Sequence, residues 1–332
     1  MNLQYRIDLL ARLGDYILSD NEEWLQVQDR ASRENGWFIP SFLQQSIRAI
    51  GYQYLQQDAL QRWVAAYPAA AVDHTPKTIG LIMAGNIPLV GMHDLICIWI
   101  AGHKARIKLS SKDAVLITHL INKLIEWEPA AAGYLEIADM LKGCDAYIAT
   151  GSNNSAGYFT FYFGKYPHII RRNRSSAAIL DGTETTEELE LLADDVYLYF
   201  GLGCRNVTKL YVPAGYDFVP LLQAFRKYNW LAEHHKFKNN YDYNLAILLL
   251  NKQLYMSNES LLLVENNSLF SPISQLHYET YTDRNTLVTG LQTHADIQCL
   301  VGHGFTGFGK SQQPSLADYA DGIDTMTFLT AL

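Results

Sequence analysis

Four short apolar runs, each followed by a change of character, constrain this chain more than any other feature. Residues 78–84, 105–109, 146–149 and 175–180 are each four to seven residues long, and all but 105–109, which carries Arg106 and Lys108, are free of charge. Such runs are what strands buried on both faces look like. Residues 89–101 and 113–126 between them carry helical apolar patterns, and another helical stretch follows Ser152. Strands alternating with helices predict a parallel, doubly wound α/β sheet. In such sheets ligands bind beyond the carboxyl ends of the strands. Asn86, Lys108, Gly151 and Ser152 all stand at the ends of these runs, so a pocket is expected there.

The flanking segments read differently. Residues 3–66 look helical, with Leu3, Ile7, Leu10, Leu13 and Ile17 forming one apolar stripe. Asn21-Glu22-Glu23 places acid at a helix start, Asn35-Gly36 closes that helix, and Pro40-Ser41 opens the next. A second α/β region follows residue 183: an acidic helix near Thr185, a strand after Cys204, a helix after Asp217, and strands at 261–264, 273–278 and 297–301. The expected organisation is a helical cover over 1–77, an α/β domain over 78–182, a second over 183–302, and a tail over 303–332 that packs back on the core.

Composition excludes several classes. With 332 residues and 48% hydrophobic content, the chain can bury more than one core. A net charge of −8 argues against nucleic acid as a partner. No stretch approaches the ~20 apolar residues of a membrane span, and the N-terminus lacks the basic-then-apolar layout of a signal peptide. Cys97, Cys144, Cys204 and Cys299 are widely spread without a CxxC pair. That pattern fits reduced thiols in a cytoplasm, with no disulfide framework and no structural metal site.

Cys204 is the candidate for chemistry. Gly201 and Gly203 free the backbone ahead of it, and the β-branched and aromatic run to Pro213 reads as a strand. A cysteine at the mouth of a strand can offer its sulfur and its own N–H to one substrate atom. Read alone, a small buried hydrophobe is the simpler reading, as free cysteines usually are. Other features carry two readings as well. Arg171, Arg172 and Arg174 could grip phosphates or form a wet face, and the wet face is the simpler reading. His234-His235 points apart on a helix and reads as structural or surface. Tyr158, Phe159, Phe161, Tyr162 and Phe163 read as core rather than acyl pocket.

Five motifs stand in one order. Asn86-Ile87-Pro88 resembles the Asn-x-Pro of the aldehyde dehydrogenase superfamily, and Lys108-Leu109-Ser110 its Lys-Pro-Ser. Ala149-Thr150-Gly151-Ser152 is similar to its Phe-Thr-Gly-Ser turn. Cys204, with Val212 eight residues on, resembles its nucleophile segment, and Phe270-Ser271-Pro272-Ile273 its Phe-Gly-Pro-Val. The resemblance covers roughly residues 78–310. It implies an aldehyde-dehydrogenase-like fold of two doubly wound α/β domains, the first binding a nicotinamide cofactor and the second holding the catalytic cysteine. The superfamily's water-activating glutamate has no counterpart in residues 170–176, and Ser268 stands where a cofactor-ribose glutamate belongs. The superfamily's oligomerisation hairpin has no counterpart before Thr78. Loss of the base points to the CoA-acylating branch, and the chain looks most like acyl-CoA reductases of the bacterial luminescence type (LuxC-like).

The resemblance implies a mechanism. Cys204 attacks an acyl-CoA thioester, the Asn86 amide and the Cys204 N–H hold the oxyanion, CoA leaves, and a hydride converts the acyl-enzyme to an aldehyde. Lys108, Ser111, Lys112, Gly151 and Ser152 are its cofactor-binding candidates. Ser111, followed by Lys112, stands where NAD-preferring members carry an acid, which favours NADPH over NADH. A homo-oligomer or an acyl-transfer partner protein is compatible with this picture. Two other functions remain open: a non-catalytic relative that binds acyl-CoA or nucleotide, and a cysteine-dependent acyltransferase or thioesterase. Acyl chain length and physiological direction are not encoded in any of these motifs.

Overall fold

The computed structural model describes residues 1–72 and 74–332, which divide into two compact units. The first comprises Met1–Asn173 and Pro314–Leu332, the second Arg174–Gln313. Each is an α/β body on a mainly parallel sheet, as the alternating pattern predicts.

The first unit opens with α1 (Leu3–Leu18), α2 (Glu22–Glu34), α3 (Pro40–Gln53) and α4 (Gln57–Val64). Asn2 and Asn21 start α1 and α2 by accepting from the backbone N–H three residues on, and Pro40 occupies the first turn of α3. Then come β1 (Thr78–Ile82), α5 (Met92–Ala101), β2 (Lys104–Lys108), α6 (Ala114–Trp127), β3 (Leu135–Ile137), β4 (Ala146–Thr150), α7 (Asn153–Phe163) and β5 (His168–Arg171). The strand order is β3-β2-β1-β4-β5, all parallel. Leu13, Trp24 and Ile47 of the N-terminal helices share one core with Ile79, Ile98, Ile107 and Ile117. The N-terminal helices reach that core by packing on α5 and α6: α1 touches both, and α2 lies against α6.

The second unit holds β6 (Ser175–Ile179), α8 (Thr186–Tyr197), β7 (Val207–Pro213), α9 (Val219–Ala224), α10 (His235–Leu250), β8 (Met256–Ser257), β9 (Leu262–Glu265), β10 (Gln275–Tyr281), α11 (Arg284–Gln292) and β11 (Ile297–Val301). Its order is β11-β6-β7-β10-β9-β8, parallel except for β8 against β9. The run at 175–180, expected to close the first domain, is instead a central strand of the second sheet. Ser176 pairs with Val207 and Ser175 with Ile297, so the boundary falls at Arg174 rather than at residue 183.

The tail also divides. Residues 303–313 stay in the second unit, where the Gly309 and Ser311 N–H groups donate to Asp195. Residues 314–332 belong to the first unit and end in α12 (Thr325–Thr330), whose Met326 and Leu329 are fully buried. Trp63 Nε1 donates to the Tyr319 hydroxyl at 2.9 Å, and Tyr67 donates to Asp324 at 2.9 Å. Among the described residues, no helix is long and apolar enough to cross a membrane.

Candidate active site

In the first unit, the loops after β1 and β2 are stitched together at the carboxyl end of the sheet. Ile82 pairs with Lys108, and the Met83 N–H donates to the Lys108 carbonyl at 3.1 Å. Gly85 has no room for a side chain: a Cβ there would meet Ser110 Oγ at 2.6 Å. The turn carrying Asn86 is anchored on both sides. Ser46 donates to the Pro88 carbonyl at 2.7 Å, and the Leu89 N–H donates to Asp113 Oδ2 at 2.6 Å. Leu89 itself has a left-handed φ of 58°, a strained conformation that these anchors hold. Burial pushes the Asp113 carboxyl up to about 8, although the Leu89 N–H favours its ionised form. Its Oδ1 has no partner among the described residues. Asp113 was not foreseen as a site residue, because an Asp before a helix reads as an ordinary N-cap; here it makes no cap bond at all.

The other predicted cofactor residues are distributed unevenly. Lys108 is exposed and lines a cleft of about 570 Å³ with Ile82, Met140, Tyr147, Tyr158 and Tyr162. Ser111 and Lys112 are exposed on the loop after β2, outside the cleft lining. Gly151 lies tight against α7, where a Cβ would meet Phe159 at 2.8 Å. Ser152 caps that helix, accepting from the Ser155 N–H at 3.2 Å, and neither residue lines the cleft. The aromatic run of α7 corrects the core reading. Tyr158 is 69%, Phe161 80% and Tyr162 62% exposed, because this helix covers the sheet face opposite the shared core and meets little else. The half-buried Phe163 and Phe159 turn inward, Phe163 stacking on Tyr147 at 4.1 Å and Phe159 on Phe163 at 6.1 Å.

Cys204 lies in the second unit, and Asn86 in the first. The half-buried Cys204 precedes β7, behind a 3-10 turn at Leu198–Gly201. Three successive residues of that turn are left-handed: Tyr199 (φ 54°), Phe200 (φ 59°) and Gly201 (φ 73°). The glycine pair was expected to supply this freedom, but Gly203 is not left-handed and two aromatic residues carry the rest. Each non-glycine residue in that region costs about 1–3 kcal/mol. Phe200 offsets this by packing on His234 at 4.6 Å and Phe237 at 5.9 Å. His234 thus has the structural role expected of it, since its Nδ1 also accepts from the Phe237 N–H and starts α10. Asn206, which no sequence pattern singled out, is fully buried beneath the loop. Nothing local marks it, since the polar Thr208 and Lys209 follow it within β7.

The basic run at 171–174 is not a wet face throughout. Arg171 is 2% exposed, forms an ion pair with Asp94, and donates to Thr325 Oγ1 at 2.8 Å. It is therefore unavailable to a phosphate, while Arg172 is exposed and Arg174 donates to the Ile297 carbonyl. Ser268 is a turn residue whose Oγ donates to the Phe270 carbonyl at 3.0 Å.

A polar cluster sits at the carboxyl ends of β6 and β11. His303 bonds Asp181 through Nδ1 and Glu188 through Nε2, both at 2.9 Å. Those two carboxylates raise His303 to about 9. Partial burial opposes ionisation of Asp181, but bonds from Thr183 and His303 hold it down to about 2. Asp181, Glu184 and His303 bring one ligand atom each within 4.8 Å of one another. Both imidazole nitrogens face carboxylates, so the cluster is a proton-holding ion network.

No protein-family model and no curated protein matches the chain. Solved structures do. The chain is similar to an NAD-dependent aldehyde dehydrogenase from Sinorhizobium meliloti, with a TM-score of 0.67 at 13% identity over 91% of this chain and 70% of that one. An oxidoreductase from Marinobacter aquaeolei gives 0.65 at 11% identity over 91% and 73% of the two chains. A cysteine-to-alanine variant of an aldehyde dehydrogenase from Pseudomonas syringae, in complex with NAD+ and octanal, gives 0.61 at 13% identity over 87% and 70%. At these identities the likeness defines the fold: two α/β domains of the aldehyde dehydrogenase type.

Proposed function

We propose that this chain is a nicotinamide-dependent oxidoreductase of the aldehyde dehydrogenase superfamily, and specifically an acyl-CoA reductase that forms an aldehyde. One observation carries the reading: in this fold, a half-buried cysteine heads β7 behind a strained turn, with no carboxylate in residues 170–176 to direct water at it. Cys204 Sγ attacks the thioester carbonyl, and CoA leaves from the tetrahedral adduct. The Cys204 N–H and the Asn86 amide are the oxyanion donors in this reading; losing one such donor costs about 10²–10³ in rate. The anchors at Pro88 and Leu89 support this reading by fixing the backbone just after Asn86.

The cleft beside Lys108 fits the nucleotide end of a nicotinamide cofactor. Its aromatic walls suit a base, and the exposed Lys108, Lys142 and Lys165 in its lining suit phosphate. The cofactor, when bound, supplies the hydride that reduces the acyl-enzyme. In this reading Ser111 and Lys112 would hold the 2′-phosphate of NADPH, and Gly151 and Ser152 would contribute to cofactor binding from the turn after β4. Without a base near Arg171, the Cys204 thioester resists water and survives until it is reduced.

The test follows the absorbance of reduced nicotinamide with a panel of acyl-CoAs. The expected result is cofactor oxidation that depends on acyl-CoA, with aldehyde and CoA in equal amounts, and a higher kcat/KM for NADPH that Ser111→Glu reverses. Steady CoA release without cofactor oxidation identifies a thioesterase or acyltransferase instead. Binding without turnover identifies a non-catalytic relative.

A further inference from the structure

Asn206 stands two residues after Cys204, and its side chain uses both ends of its carboxamide. Oδ1 accepts from the Gly203 N–H at 2.8 Å. Nδ2 donates to the Leu198 carbonyl at 2.9 Å and the Asp195 carbonyl at 3.0 Å, and leans on the Val196 carbonyl at 3.4 Å. The residue is 0% exposed, so no water substitutes for any of these partners. Its backbone continues the clamp. The Asn206 N–H donates to the Gly203 carbonyl at 3.1 Å, and the Asn206 carbonyl accepts from the Ser176 N–H of β6 at 3.1 Å. Ser176 Oγ donates to the Cys204 carbonyl, also at 3.1 Å.

The clamp answers a local problem. The last carbonyls of α8 have no intrahelical donors, and the residues after it are not the glycine that usually closes a helix. Leu198, Tyr199 and Phe200 follow, and two of them are left-handed. One amide supplies the missing donors and, through its oxygen, fixes the residue before Cys204. The end of a helix and the approach to the nucleophile are thereby tied to a single side chain.

We propose that Asn206 is the positioning residue of the Cys204 loop, setting the direction of Sγ and of the Cys204 N–H without touching substrate. The proposal rests on the reading of Cys204 as nucleophile. A misplacement of about 1 Å at a reacting group costs on the order of 10²-fold in rate. Asn206→Asp keeps the bond to Gly203 but turns an oxygen toward three carbonyls; Asn206→Ser keeps a single short donor.

The experiment compares both variants with wild type and with Leu300→Val, a destabilising core control in the same unit. It reads the rate of Cys204 alkylation by iodoacetamide across pH, and kcat and KM for acyl-CoA reduction. Expected in the Asn206 variants are a fall in kcat of about 10²-fold, little change in KM, and a shifted pH profile of Cys204 alkylation. Leu300→Val should lower stability and leave the alkylation profile in place. A folded Asn206 variant with the wild-type alkylation rate and profile overturns the proposal. Should neither variant fold, amide exchange in the wild-type chain decides: Gly203 is expected to be protected, and exchange at the rate of an open loop overturns it. If wild type reduces no acyl-CoA while the variants still shift Cys204 alkylation, the functional reading falls and the positioning role stands.

Discussion

Arg171 shows how far a single side chain can depart from its neighbourhood in sequence. Flanked by Arg172 and Arg174, it has the look of a solvated face, yet it is buried against Asp94 and Thr325. Its partners lie 77 and 154 positions away, a separation that no local pattern reports. Replacing Asp94 with Asn leaves a buried guanidinium without its counter-charge, and a loss of about 3–5 kcal/mol is expected in urea unfolding. An unchanged midpoint would show that the pair contributes nothing net. Cys204 is the opposite case, since its glycines and the strand behind it were legible while Asn206 beneath it was not. Cys204→Ser should keep the fold and lose aldehyde formation, because a hydroxyl is a far weaker nucleophile at neutral pH. Mass spectrometry after incubation with acyl-CoA should show one adduct in wild type and none in the variant; an adduct that persists removes Cys204 from the mechanism.

Among the elements, the long apolar runs were readable and the short edge strands were not. β1 and β4 are central strands whose burial selects apolar residues along their length, while β2, with Lys104, Arg106 and Lys108, shows only its buried Ala105 and Ile107. β3 and β5, at three and four residues, are edge strands with too little length for a pattern. The start of α8 was visible as Thr185 followed by Glu188, and it is a reciprocal capping box. What joins α8 to the end of β11 is His303, which was not visible. Its folded value of about 9 lies above the unfolded value near 6.5, so its contribution is complete below about 6.5 and is lost as pH rises through 9. Because its side chain is 39% exposed, solvent screening limits the effect to about 1 kcal/mol or less. Wild type should therefore lose stability between pH 6.5 and 9 more steeply than His303→Gln, as chemical denaturation at several pH values would reveal. Parallel curves would mean that the two ion pairs add nothing.

At the scale of the whole molecule, the alternating pattern correctly announced two α/β bodies, but not where one stops. The strand at 175–179 is equally apolar in either sheet; only its pairing with β7 and β11 assigns it. The tail is similar, since nothing in residues 303–332 marks the change of unit at Pro314. Deleting residues 314–332 should weaken the first unit selectively. It strips Trp63, Tyr67 and His103 of their partners and removes the buried Met326 and Leu329. Those two side chains alone correspond to at least about 3 kcal/mol. Five of the six tryptophans (Trp24, Trp37, Trp63, Trp99 and Trp127) lie in that unit, so fluorescence in urea should show its transition move to lower concentration. A transition that stays in place would make the tail an ornament.

The same discontinuity orders events during synthesis. A ribosome adds about 5–20 residues per second, and domains generally fold as units while the chain emerges. Residues 174–313 are contiguous and can close as soon as they are out, whereas the earlier 173 residues wait for a segment that is translated after them. Through that interval the pocket that Met326 and Leu329 fill stays open to the chaperones and proteases of the cell. The unit that is made first is finished last.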